Sequence, residues 1–194
     1  MEIRDVKRSL RAKIRGRILS MAPDVRKREE ASLVDRLNDL PGFRDAETVL
    51  LYSSIFPEEF DTRPMLRLAL DSNKRLICPR VLPKESRLAL SEIRDLSGDF
   101  VRGMLGIPEP RRDRPEVDIA EVDWVLVPGL GFDDRCYRIG RGGGYYDRLL
   151  PTLRAGVLRW SLCLSSQWVP ALPVEPHDQQ LDGVGDADRI VNRP

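Results

Sequence analysis

Five consecutive apolar residues, Trp124-Val125-Leu126-Val127-Pro128, constrain the fold more than any other stretch of the chain. A strand with one wet face alternates polar and apolar side chains, so an uninterrupted apolar strand needs cover on both faces. Thr48-Val49-Leu50-Leu51-Tyr52 and Trp160-Ser161-Leu162-Cys163-Leu164 have the same texture, and Lys74 to Val81 reads as another strand. Leu88 to Ile93 reads as a further one, of antiparallel type. Between the strands lie segments of helical period. One covers residues 4–20, with Val6, Leu10, Ile14, Ile18 and Leu19 on one stripe. Others are expected at about 25–37, ended by Pro41-Gly42, and at 62–70, with Asp61 as N-cap and Pro64 in the first turn. A last helix opens at Gly144 and runs to Leu150. This alternation predicts an α/β fold, a three-layer sandwich with a mainly parallel sheet flanked by helices. At 194 residues the chain is long enough for one domain with a full core, taken as residues 1–194. Ligands of such sheets sit beyond the carboxyl ends of the strands, here after Tyr52, Pro128 and Leu164.

Composition narrows the chemistry. Lys and Arg number 32 against 31 Asp and Glu, so net charge gives no general pull toward nucleic acid or an anionic membrane. No apolar run nears the ~20 residues that span a bilayer, and the first residues lack a signal-peptide core; a cytoplasmic protein without nucleic-acid or membrane partners is expected. Cys78, Cys136 and Cys163 are far apart and odd in number, which suggests neither a zinc site nor a disulfide framework. His177 is the sole histidine, and no G-x-S-x-G elbow accompanies it.

The segment Arg138-Ile139-Gly140-Arg141-Gly142-Gly143-Gly144-Tyr145-Tyr146-Asp147-Arg148 carries the clearest functional signal. Glycines permit positive φ and close approach of a ligand to backbone N–H groups, and successive N–H groups form an anion-binding concavity. The arginines match phosphate geometry, and Asp147 is a carboxylate of the kind that holds Mg²⁺ beside phosphates. A bland reading is a tight turn between a hairpin and a helix. It is neither a Walker A loop nor a dinucleotide fingerprint. Lys7 and Arg11, spaced i, i+4 in Lys7-Arg8-Ser9-Leu10-Arg11, share a helix face that could clamp a polyphosphate or could simply be solvated. In Phe56-Pro57-Glu58-Glu59-Phe60-Asp61-Thr62, Glu59 stands where a carboxylate could accept N–H groups of a ring. Asp178, after His177, could complete a metal site with Asp147.

Five separated segments together resemble the 5-formyltetrahydrofolate cyclo-ligase family. They are Lys7 to Arg11, Glu59-Phe60-Asp61-Thr62, Gly106-Ile107-Pro108-Glu109-Pro110, Val127-Pro128-Gly129-Leu130-Gly131-Phe132-Asp133 continuing through Gly140 to Arg148, and His177-Asp178. The resemblance implies an enzyme that uses ATP and Mg²⁺ to convert 5-formyltetrahydrofolate into 5,10-methenyltetrahydrofolate, with ADP and phosphate as products, through a phosphorylated formyl group. It further implies that Lys7, Arg11 and Arg138 to Tyr146 contact ATP. Glu59, Arg141, Gly142, Gly143, Gly144 and Tyr145 would contact the folate, and Asp147 and Asp178 would hold Mg²⁺. Arg141 and Asp147 would carry the catalytic charge, and the protein would work as a monomer. One departure, Asp182-Gly183-Val184-Gly185-Asp186-Ala187 in place of the family's V-x-T-E-like strand, leaves open a relative that binds folate or nucleotide without turnover. An RNA-binding module using the basic first helix is disfavoured by the balanced charge.

Overall fold

A single seven-stranded sheet organises the chain, in the order β11-β10-β9-β6-β1-β2-β3. The computed structural model describes residues 2–54, 57–103 and 106–194, so Phe56 of the predicted ring-binding loop lies outside the described residues. The strands are β1 (Thr48–Leu50), β2 (Arg75–Leu82), β3 (Arg87–Ile93), β6 (Trp124–Leu126), β9 (Leu158–Leu162), β10 (Gly183–Gly185) and β11 (Ile190–Asn192). β10, β9, β6, β1 and β2 run parallel, while β3 and β11 close the two edges antiparallel. Two short pairs stand apart from the sheet: β4 (Phe100–Arg102) with β5 (Pro108–Pro110), and β7 (Gly131–Phe132) with β8 (Arg138–Ile139).

Strand alternation sends every second residue to the opposite face. Val49, Leu76, Trp124, Leu126 and Trp160 meet α1 (Ile3–Leu19), α2 (Pro23–Asp39) and α3 (Arg63–Asp71) through Ile14, Ile18, Leu33, Leu37, Met65 and Ala69. Leu50, Ile77, Val125 and Cys163 face the other way, toward Leu150 and the apolar side of α4 (Tyr145–Leu149). The expected three layers are present but unequal, with three long helices on one side and one short helix with irregular chain on the other.

Two sequence expectations change. Helix α3 begins one residue later than expected, with Thr62 rather than Asp61 at the cap position. Asp61 still accepts the Arg63 N–H at 3.0 Å, while Thr62 is engaged elsewhere: its Oγ1 accepts the Ser54 N–H and its own N–H donates to Ser54 Oγ, both at 3.0 Å. The segment 182–187, read as a departure without an assigned element, contains β10, a buried strand beside β9. The hairpin that the tight-turn reading set before the glycine segment is β7–β8, only two residues to a strand, and it launches that segment.

Two branches of the parallel sheet leave β1 in opposite directions, β2 to one side and then β6, β9 and β10 to the other. The carboxyl ends of β1 and β6 therefore flank a topological switch point, where chain departs in both directions and leaves a crevice.

Candidate active site

The crevice is a cavity of about 650 Å³. Tyr52 and Ser53 after β1 and Pro128, Gly129 and Leu130 after β6 form part of its wall. All fourteen residues singled out from the sequence line it: Lys7, Arg11, Glu59, the run from Arg138 to Asp147, and Asp178. Sequence reasoning did not assign Arg4, Arg8, Tyr52, Glu109 or Glu175, which line it as well. The signal for Arg4 and Arg8 was present, since they fall on the same helical stripe as Lys7 and Arg11. Glu109 stood in a quoted motif without a role.

The β7–β8 hairpin aims the glycine segment. Asp133, fully buried in its turn, accepts the N–H groups of Arg135 and Tyr137 at 3.1 Å each and that of Leu172 at 2.9 Å. Beyond β8 the chain needs positive φ at Gly142 (105°) and Gly144 (66°), conformations that a side chain would strain. Arg11 Nε donates to the Gly140 carbonyl at 2.8 Å, so α1 braces the loop. Arg148 caps the far side by donating to the Gly143 carbonyl at 2.9 Å, its guanidinium 5.2 Å from the Tyr145 ring centroid.

The cations are matched to carboxylates inside the protein. Lys7, only 8% exposed, donates to Asp178 at 2.6 Å and to Glu175 at 2.8 Å, joining the first helix to the chain's last quarter. A solvated face is therefore not the state of Lys7. Burial pulls the Lys7 pKa down, but the hydrogen bonds to Asp178 and Glu175 outweigh it and the net shift is upward. Asp178 moves the opposite way. Burial raises its pKa, and the Lys7 hydrogen bond with the Glu175 backbone N–H brings it below the ordinary aspartate value. Arg138 donates to Asp147 at 2.7 Å and to the Gln179 carbonyl at 2.9 Å. Arg141 reaches across to the loop after β1, with Nη1 2.6 Å from Glu58 and Nη2 3.0 Å from Glu59.

The hard-oxygen chemistry of Mg²⁺ suits what remains. Asp147 engages donors through Oδ1 and Asp178 through Oδ2, leaving one oxygen of each without a hydrogen bond among the described residues. Glu175, His177 and Asp178 bring ligand-type atoms within 4.8 Å of one another, a cluster that does not include Asp147. The thiols offer no alternative chemistry. All three are buried, and desolvation pushes Cys136 up to about 11 and raises Cys78 and Cys163 as well. Burial likewise keeps the Tyr146 phenol protonated, and its hydroxyl has no hydrogen-bond partner among the described residues.

An α/β protein with a glycine-rich loop, carboxylates and aromatic rings around one switch-point crevice has the architecture of an enzyme that binds small molecules beyond the carboxyl ends of its strands. The chain belongs to the 5-formyltetrahydrofolate cyclo-ligase family, whose model matches residues 3–185. It is similar to the 5-formyltetrahydrofolate cyclo-ligase of Escherichia coli strain K12, at 28% identity over 88% of this chain and 94% of the relative. A probable 5-formyltetrahydrofolate cyclo-ligase of Schizosaccharomyces pombe is 23% identical over 95% of this chain and 97% of its own length. The NMR structure of Aquifex aeolicus 5,10-methenyltetrahydrofolate synthetase superposes with a TM-score of 0.83 at 29% identity, over 96% of this chain and 92% of that one. No helix among the described residues is long and apolar enough to cross a membrane.

Proposed function

We propose that this chain converts 5-formyltetrahydrofolate to 5,10-methenyltetrahydrofolate at the expense of ATP, with Mg²⁺, releasing ADP and phosphate. One observation carries the reading beyond family membership. A single cavity joins a cationic, glycine-rich wall suited to a triphosphate with a wall of carboxylates and aromatic rings suited to a pteridine. Two substrates that exchange a phosphoryl group must lie side by side, and the glycine loop borders both.

The chemistry balances without a protein nucleophile. The formyl oxygen attacks the γ-phosphorus and ADP leaves. N10 attacks the activated carbon and closes the five-membered ring, the N10 proton passes to a phosphate oxygen, and the C–O bond breaks to release hydrogen phosphate. Positioning and charge stabilisation supply the acceleration in such a sequence. Lys7 and Arg11 on α1 hold phosphate oxygens from one side, and the N–H groups of Gly140, Gly142, Gly143 and Gly144 from the other. Arg141 stabilises charge on the group in transfer, its planar fork suiting phosphate oxygens. Asp147 and Asp178 hold Mg²⁺, which screens the phosphate charge. Glu59 accepts N–H groups of the pteridine, and Tyr145 borders the folate.

The segment 182–187, the basis for a relative without turnover, forms part of the sheet and contributes nothing to the cavity lining. The test is direct: 5-formyltetrahydrofolate, ATP and Mg²⁺ are added and the near-ultraviolet absorbance of the methenyl product is followed. ATP-dependent product is expected. Its absence with folded protein and all components present would overturn the proposal.

A further inference from the structure

Glu109 is a carboxylate that the site described above does not use. It sits in β5, lines the cavity and is only 5% exposed. An ionised carboxylate removed from water normally recovers its solvation through a cation or several donors. Glu109 has neither among the described residues: its Oε1 accepts a long hydrogen bond from the Val81 N–H at 3.4 Å, and no cation pairs with it. The contrast with the other cavity glutamates is plain, because Glu59 pairs with Arg141 and Glu175 with Lys7. Nor is the position an accident of a long side chain folding back. Gly103 leaves the room it occupies, since a Cβ there would collide with the Glu109 carboxylate. Val81, Leu88, Ile107 and Pro108 line the same cavity. A buried acceptor on the wall of a substrate cavity can recognise a planar ring by the N–H groups on its rim.

Resting on the reading given under Proposed function, we infer that Glu109 is a second pteridine-positioning residue, accepting ring or amino N–H groups of the folate from the β5 side of the cavity. Its role is to orient the folate, not to take part in bond making. The donors of the ligand replace the solvation that the carboxylate lost on folding, so ligand binding and relief of a buried charge coincide.

Calorimetric titration with 5-formyltetrahydrofolate, without nucleotide, tests this in the wild type, Glu109→Gln and Glu109→Ala, with a non-hydrolysable ATP analogue and Mg²⁺ titrated separately. A charge-assisted hydrogen bond lost from a buried site predicts about tenfold or greater weakening of folate binding in Glu109→Ala. Glu109→Gln keeps an acceptor oxygen without the charge and should fall between the two. Nucleotide affinity should stay within about twofold, because the loss is confined to one substrate. Equal folate affinity in all three proteins overturns the assignment. So does parallel loss of both affinities with a lowered melting temperature in the isosteric Glu109→Gln, which would make Glu109 a brace between β5 and β2. Failure of the wild type to bind 5-formyltetrahydrofolate would instead overturn the functional reading itself.

Discussion

Arg141 sits between two demands. Its guanidinium is held by Glu58 and Glu59 across the cavity, and the same group is the one proposed to meet a transferring phosphoryl group. Replacing it with alanine should lower kcat by about a hundredfold or more, the scale seen when one charge-stabilising donor is removed; steady-state rates of methenyl formation measure it. Glu58 also pairs with Arg15 at 3.0 Å. Burial pushes the Glu58 pKa up, but the hydrogen bond from Arg141 and the neighbouring positive charges bring it below the ordinary glutamate value. A carboxyl that is more acidic folded than unfolded stabilises the fold above its unfolded pKa and loses that contribution as pH falls through the folded one. Glu58→Gln should therefore cost about 1–3 kcal/mol near neutral pH, with the gap to wild type closing below about pH 4. Urea titrations of both proteins across that range would reveal a constant gap if the ion pairs contribute nothing.

At the scale of elements, α1 and the β7–β8 hairpin set the geometry of the glycine loop from opposite sides. Helix α1 places Lys7 against the chain near residues 175–178 and Arg11 against Gly140. Lys7→Met removes one cation proposed to hold ATP phosphates and leaves Glu175 and Asp178 without their shared partner, so the KM for ATP should rise about tenfold or more while that for folate moves little. The hairpin depends on Asp133, which stands in the stretch that resembles the family signature and could be mistaken for a catalytic carboxylate. It is fully buried, holds the turn and Leu172 together, and does not line the cavity. Asp133→Ala strands the N–H donors of Arg135, Tyr137 and the buried Leu172 and should cost about 3 kcal/mol or more, read as a lowered urea midpoint. Loss of activity without loss of stability would count against this architectural role.

Across the whole molecule, the chain's two ends meet at the site. Lys7 bonds to Asp178, and β10 and β11 then return to extend the sheet beyond β9. Val184 in β10 is fully buried, with Gly183 paired opposite Trp160. A chain ending before Gly183 would expose the β9 edge and the apolar surface around Trp160. It should melt at least about 10 °C below the full chain and aggregate in light scattering. An unchanged melting curve would mean that the sheet does not need its last two strands.

Much of this was legible in one dimension. Apolar runs and helical periods announced the layered α/β fold, because burial on both faces of a strand must be written into every position. The glycine loop and its flanking charges were equally visible, since positive φ and phosphate contact demand particular residue types locally. Other features were decided only by the tertiary structure. Two-residue strands carry no periodicity, so β7 and β8 exist through their turn and neighbours. Thr62 displaced Asp61 from the helix cap because Ser54, eight residues away, offered reciprocal hydrogen bonds. The sequence by itself determined which residue types were available for the crevice. Which carboxylate each cation faces, and that Glu109 faces none among the described residues, was settled by pairings between distant segments, whose distances and burial no local pattern encodes.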